Sequence, residues 1–115
     1  MNPADSEQLL VFCTCPDAGT AGQIATALVE RRLAACVNRL GQVGSTYRWQ
    51  GAVEGAEEVL LLIKTSRAAY ADLEQAIVEL HPYELPEIVG IDIDTGLPGY
   101  LDWVTKCTEP GSTTG

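Results

Sequence analysis

Apolar residues along this chain form short continuous runs that alternate with stretches of helical spacing. Residues 9–13, Leu9-Leu10-Val11-Phe12-Cys13, are an apolar run of strand length. Asp17 stands where a helix N-cap belongs, and Ala21, Ile24, Ala25 and Leu28 then recur at helical spacing across 20–34. Arg31 and Arg32 fall in the last turns of that stretch, where the helix dipole favours cations. Residues 35–47 give a weaker strand pattern, interrupted by Gly41 and Gly44, which mark a bend or bulge. Trp49-Gln50-Gly51 reads as a turn. A long strand over 53–65 follows, and its centre, Val59 to Ile63, is apolar at every position. Ser66 can cap a second helix, in which Tyr70, Leu73, Ile77 and Leu80 share one face. Residues 88–93 are a fourth strand. Gly96, Pro98 and Gly99 turn the chain into a short helical stretch over 100–107.

Strand, helix, strand, twice over, is the βαββαβ order of a ferredoxin-like α+β sandwich. It predicts an antiparallel sheet, a long hairpin between the second and third strands, and a short C-terminal helix. Right-handed crossovers place both main helices on one face of the sheet. The other face should then be polar, yet the first and third strands offer apolar side chains to both sides. A bare apolar face of that size is unusual on a soluble monomer, so the pattern predicts that another subunit covers it. The folded domain spans 9–107, between flexible segments at 1–8 and 108–115.

The chain has 115 residues, enough for one domain with a core of its own. Its net charge is −9, and its seven Lys and Arg are scattered without a basic stripe. Binding to nucleic acid or to an anionic membrane is therefore disfavoured. No apolar run is long enough to insert in a membrane. The first residues lack the basic start and apolar core of a secretory signal, so the expected location is cytoplasmic. Thiols stay reduced there, which leaves Cys13, Cys15, Cys36 and Cys107 unpaired. Cys13 and Cys36 have apolar neighbours and read as buried. A bridge between Cys13 and Cys15 is rejected. Their Cα atoms on one strand would lie about 6.6–6.8 Å apart with nearly parallel Cβ vectors.

The densest chemistry is His81-Pro82-Tyr83-Glu84-Leu85-Pro86-Glu87, which holds the only histidine. Its two prolines fix their own φ and push His81 and Leu85 towards extended backbone. A connection that stiff sets where an imidazole, a phenol and two carboxylates point.

Six pieces occur in order: Cys13-Thr14-x-Pro16-Asp17, Leu33-Ala34-Ala35-Cys36-Val37, Ser45-x-Tyr47-x-Trp49-x-Gly51, Lys64-Thr65, the segment from His81 to Glu87, and Tyr100-x-x-Trp103. Together they resemble the CutA-type divalent-cation tolerance proteins. That resemblance implies the same βαββαβ fold, a tight homotrimer similar in shape to PII signalling proteins, and a link to copper and other divalent cations, with no catalysis. This chain departs from the family pattern at Ala52, often lysine; at Leu80-His81, two histidines in some members; and at Cys15, commonly a small residue without a thiol.

Two candidate sites follow from the resemblance. The first is a metal site of Cys13 and His81, with Cys15 as a further sulfur, for copper or another divalent cation that folding does not require. Thiolates suit Cu(I), and imidazole suits Cu(II). Beside it stands a plainer reading, a buried structural Cys13 and a surface His81. The second is a polar cleft between subunits, lined by Trp49, Lys64, Tyr83, Glu84, Glu87 and Trp103, for a small molecule or a partner protein in the manner of a PII-like signalling scaffold. Lys64 and Glu87 are there expected to pair. Other ferredoxin-like functions lack their parts. There is no Cys-x-x-Cys for a copper chaperone, no arginine after the first strand for an acylphosphatase, and no aromatic, basic sheet for RNA.

Overall fold

A computed structural model describes residues 6–110. The elements run β1 (Gln8–Cys15), α1 (Ala18–Glu30), β2 (Cys36–Trp49), β3 (Ala52–Ser66), α2 (Tyr70–Leu80), β4 (Val89–Asp92) and α3 (Pro98–Cys107). The strands form one antiparallel sheet in the order β2-β3-β1-β4. This is the ferredoxin-like α+β arrangement that the pattern predicts.

Local chemistry sets the boundaries. Asp17 caps α1, its carboxylate accepting from the Thr20 N–H at 2.7 Å. That bond holds the Asp17 carboxyl below its ordinary range. The helix stops at Glu30, four residues before the predicted end. Arg32 turns left-handed (φ 60°), so the Arg32 N–H reaches the Val29 carbonyl and the Leu33 N–H the Leu28 carbonyl. These are the two bonds of a Schellman stop. Arg31 and Arg32 therefore lie beyond the last turn. Ser66 remains in β3, where its Oγ accepts from the Ala69 N–H, and a turn separates it from α2.

The register of β2 against β3 slips between Leu40 and Val43, a bulge at Gly41 as the glycines suggested. At the hairpin tip Trp49 pairs with Ala52, leaving a two-residue loop of Gln50 (φ 50°) and Gly51 (φ 83°). Positive φ at both positions matches the twist of the strands.

Alternation along the central strands separates two faces. Leu9, Val11, Cys13 and Cys15 of β1, with Val59, Leu61 and Ile63 of β3, pack under Ile24 and Leu28 of α1 and Leu73 and Ile77 of α2. Gly90 of β4 sits against Tyr70 and Val11, where a Cβ would come within 3.4 Å of the phenol ring. The opposite face carries Leu10, Phe12, Leu60 and Leu62, all half-buried, with Leu40, Val89 and Ile91 exposed. α3 covers only one end of it, where the Gln8 amide reaches the Leu101 carbonyl and the Thr105 hydroxyl.

Two residues assigned to flexible termini are tied into the fold. Gln8 opens β1 opposite Ser66, and the Thr108 hydroxyl is buried within 2.9 Å of Ser66 Oγ. Residues 1–5 and 111–115 of those terminal segments lie outside the described residues. Among the described residues, no helix is long and apolar enough to cross a membrane.

Candidate functional site

Cys13 and Cys15 project from the same side of β1 into the helix-covered face, and neither has any accessible surface. His81 is the C-cap of α2, held extended (ψ 137°) ahead of Pro82. Its backbone N–H closes the helix onto the Ile77 carbonyl at 2.8 Å, and the imidazole is carried across the end of β1. β4 pairs β1 only as far as Phe12. Beyond that point the Thr14 carbonyl receives His81 Nε2 at 2.7 Å. The Tyr83 backbone N–H lies 3.2 Å from Nδ1 and can only donate, so Nδ1 accepts and Nε2 carries the proton. His81 is thus not a surface group. It is 6% exposed, uses both ring nitrogens, and lies against the Tyr83 ring at 4.6 Å.

Sulfurs and imidazole converge. The ligand atoms of Cys13, Cys15 and His81 all lie within 4.8 Å of one another. The Cys13 thiol also lies 3.9 Å from the Thr14 carbonyl, to which it donates. The hydrogen bond with Cys15, and then burial, pushes the Cys13 thiol far above its ordinary range, while that same bond from Cys13 lowers Cys15 against the effect of burial. The charges of Glu87 and Glu58 also raise Cys13, so the surrounding field is negative. All four cysteines are unpaired. Cys36 is only half-buried, because β2 is an edge strand and its face is covered by α3 alone.

A cavity of about 830 Å³ is bounded by the end of β1, the β2–β3 hairpin and the segment after α2. Trp49, Tyr83, Glu84 and Glu87, expected in a cleft between subunits, line this cavity within the single chain. Lys64 and Trp103 do not. Lys64 reaches Asn38 on β2, so the expected pair with Glu87 does not form. The register sets Lys64 opposite Leu10 and Cys36, towards the end of the sheet that α3 covers. Trp103 lies on α3 beside Tyr100, ring centroids 5.5 Å apart. Among the described residues, the one ion pair joins Arg67 and Asp92.

Thr14, Ser45 and Tyr47, motif residues not assigned to the cleft, also line it, as do Thr46 and above all Glu58, neither of which was read from the sequence. Glu58 is 6% exposed, and its Oε2 accepts from the Tyr83 hydroxyl at 2.7 Å. Burial, then that bond and the charge of Glu58, pushes the Tyr83 phenol above its ordinary range. A signal for Glu58 was present. It shares parity with Leu60 and Leu62, on a sheet face where a lone carboxylate is out of place.

A family model described as "CutA1 divalent ion tolerance protein" matches residues 9–107. The chain is 48% identical over 99 residues to the "Divalent-cation tolerance protein CutA" of Thermus thermophilus, covering 86% of this chain and 96% of that one. It is 43% identical over 104 residues to "Protein CutA" of Mus musculus, covering 90% of this chain and 59% of that one. The chain therefore spans little more than half the length of its mammalian relatives, 59% in mouse and 55% in human. Its fold superposes on the structure of the divalent cation tolerance protein (Cut A1) from Thermus thermophilus with a TM-score of 0.87, at 46% identity and covering 89% and 99% of the two chains. Order of elements, sheet topology and matched length agree, and the chain belongs to the CutA1 divalent ion tolerance family.

Proposed function

We propose that the chain acts in metal tolerance by binding a soft cation, copper first, at Cys13, Cys15 and His81, as a non-catalytic homotrimer in a reducing compartment. The observation that carries the metal reading is the convergence of two sulfurs and an imidazole within 4.8 Å in a buried, negatively surrounded place. Two thiolates and one imidazole form a soft donor set, suited to Cu(I) and acceptable to Zn²⁺. His81 would have to release one of its present hydrogen bonds to ligate, and protons would compete at all three groups. Four unpaired thiols agree with a reducing, cytoplasmic setting.

The half-buried Leu10, Phe12, Leu60 and Leu62 support the trimer, since a heterologous contact that closes a ring would cover them. Calorimetric titration with Cu(I) and Cu(II) tests the metal site. Cys13→Ser should weaken Cu(I) most, and His81→Ala should weaken Cu(II). Copper binding by both variants as by wild type would refute the assignment. Sedimentation should give a trimer that Leu62→Asp breaks, and a stable wild-type monomer at micromolar concentration would refute the assembly. A second reading, a PII-like scaffold that binds a small molecule, is favoured by the cavity of about 830 Å³, a volume typical of ligand pockets. A metabolite screen beside the metal titration separates the two.

A further inference from the structure

His81 uses both ring nitrogens. Nε2–H donates to the Thr14 carbonyl at 2.7 Å, and Nδ1 accepts from the Tyr83 backbone N–H at 3.2 Å. A neutral imidazole has one N–H and one lone pair, and ligation uses the lone pair. Ligation through Nδ1 takes the acceptor of the Tyr83 N–H directly. Ligation through Nε2 moves the proton to Nδ1, where it faces the Tyr83 N–H donor to donor. The Tyr83 N–H therefore loses its partner whichever nitrogen ligates. Through Nδ1 the Thr14 carbonyl keeps its bond, and a backbone carbonyl on the other nitrogen is a common way to orient a ligating imidazole.

That loss falls on a weakly held part of the chain. Among the described residues, two hydrogen bonds hold residues 82–87, and Tyr83 makes both: its N–H with His81, and its hydroxyl with Glu58 Oε2 at 2.7 Å. This segment lies between α2 and β4 and belongs to neither. Opening it costs little beside breaking a helix or a strand ladder. Pro82 and Pro86 stiffen it, so it moves as a unit. Cys13 and Cys15 have no accessible surface and His81 is 6% exposed, so an ion reaches them only when a covering element moves.

We propose that residues 82–87 are a latch on the metal site. Ligation of His81 opens the latch, and the bond from Tyr83 to Glu58 holds it shut. Tyr83 thereby sets the affinity of the site without touching the ion. The inference rests on the metal reading of Cys13, Cys15 and His81. Glu58 shares the sheet face of Leu60 and Leu62, so the opening carries metal occupancy from the helix-covered face of the sheet to the opposite one.

The test uses the full, isotope-labelled chain at constant pH, without oxygen, with Cu(I) as the probe. Cu(I) is diamagnetic, so magnetic resonance reads the loaded protein. One equivalent should shift the His81 ring nitrogens and speed hydrogen exchange at the Tyr83 amide by about tenfold or more. Exchange at Val11 and Ile63, paired in the centre of the sheet, should stay as it was. Tyr83→Phe keeps the backbone N–H and removes the bond to Glu58. It should speed amide exchange at position 83 in the metal-free protein. It should also tighten Cu(I) by a few fold, up to about tenfold, because a bond made only in the closed latch opposes binding. The wild-type exchange measurement decides the matter even if the variant does not fold. A shifted His81 ring with unchanged Tyr83 exchange would overturn the latch and leave the metal site standing. Cu(I) bound with no shift of the His81 ring would also overturn it, since thiols alone leave the Tyr83 N–H its acceptor. Cu(I) held no tighter by Tyr83→Phe than by wild type would overturn the role of the Glu58 bond. Failure of Cu(I) to bind the wild type would overturn the metal reading and the latch together.

Discussion

His81 ties the segment after α2 to the end of β1, and replacing it with leucine isolates that tie. Leucine keeps much of the volume and removes both polar contacts. Thr14 is 8% exposed, and its carbonyl loses the Nε2 donor at 2.7 Å on the edge where β4 has already ended, keeping only the weak, long contact from the Cys13 thiol at 3.9 Å. A buried acceptor left with no donor but a weak thiol costs about 1–3 kcal/mol. The Tyr83 N–H also loses its acceptor, but Tyr83 is half-exposed, so water replaces part of that bond and the added cost is about 0.5–1 kcal/mol. His81→Leu should therefore cost about 1.5–4 kcal/mol, a large share of the roughly 5–15 kcal/mol typical of a domain. His81→Gln, whose amide can still donate to Thr14, should cost less than half as much. The assay is urea unfolding at fixed protein concentration, because assembly would shift the midpoint. Hydrogen exchange at Tyr83 and Glu84 reads the local effect. A His81→Leu variant within 0.5 kcal/mol (roughly the scatter of a surface change) of wild type, with unchanged Tyr83 protection, would refute the tie.

Cys13 and Cys15 should resist alkylation in the native protein while Cys36 and Cys107 react, because the first two are buried and the others half-buried; mass spectrometry finding native label on Cys13 would contradict this. Tyrosines in the unfolded chain titrate near their ordinary 10.0, whereas burial and Glu74 push Tyr70 up to about 12 and Tyr83 is also raised. Their contribution to stability is therefore complete below pH 10.0 and is lost as pH rises through about 12, so denaturation midpoints that stay level across this window would refute it. Arg32→Gly should stabilise the protein by roughly 0.5–1 kcal/mol, since Arg32 sits left-handed at φ 60° and glycine adopts that region freely; a loss of stability on thermal unfolding would show that the arginine side chain matters more. A double-mutant cycle between Lys64 and Glu87 should give no coupling beyond about 0.5 kcal/mol, because Lys64 is engaged with Asn38; a larger value would restore the pair.

Periodicity in the sequence was enough to determine the order of elements, the bulge at the glycines, the cap at Asp17 and the presence of two apolar sheet faces. Each of these follows from local sterics and from alternation, which act over a few residues. Cys13 and Cys15 were legible as neighbours for the same reason, since residues two apart on a strand share a face. The end of α1 was not legible, because an arginine occupies a left-handed position that usually signals itself by glycine. Contacts far apart in sequence were decided only by the tertiary structure. His81 meets Thr14 and Tyr83 meets Glu58 because the stiff segment after α2 folds over the open end of β1 where β4 has stopped. Lys64 and Glu87 looked like partners along the chain, yet the register of β3 against β1 and β2 sets Lys64 towards the end that α3 covers, away from the cavity. Such pairings depend on where crossovers and edges place whole elements, and a carboxylate such as Glu58 becomes a buried charge only when another element closes over it.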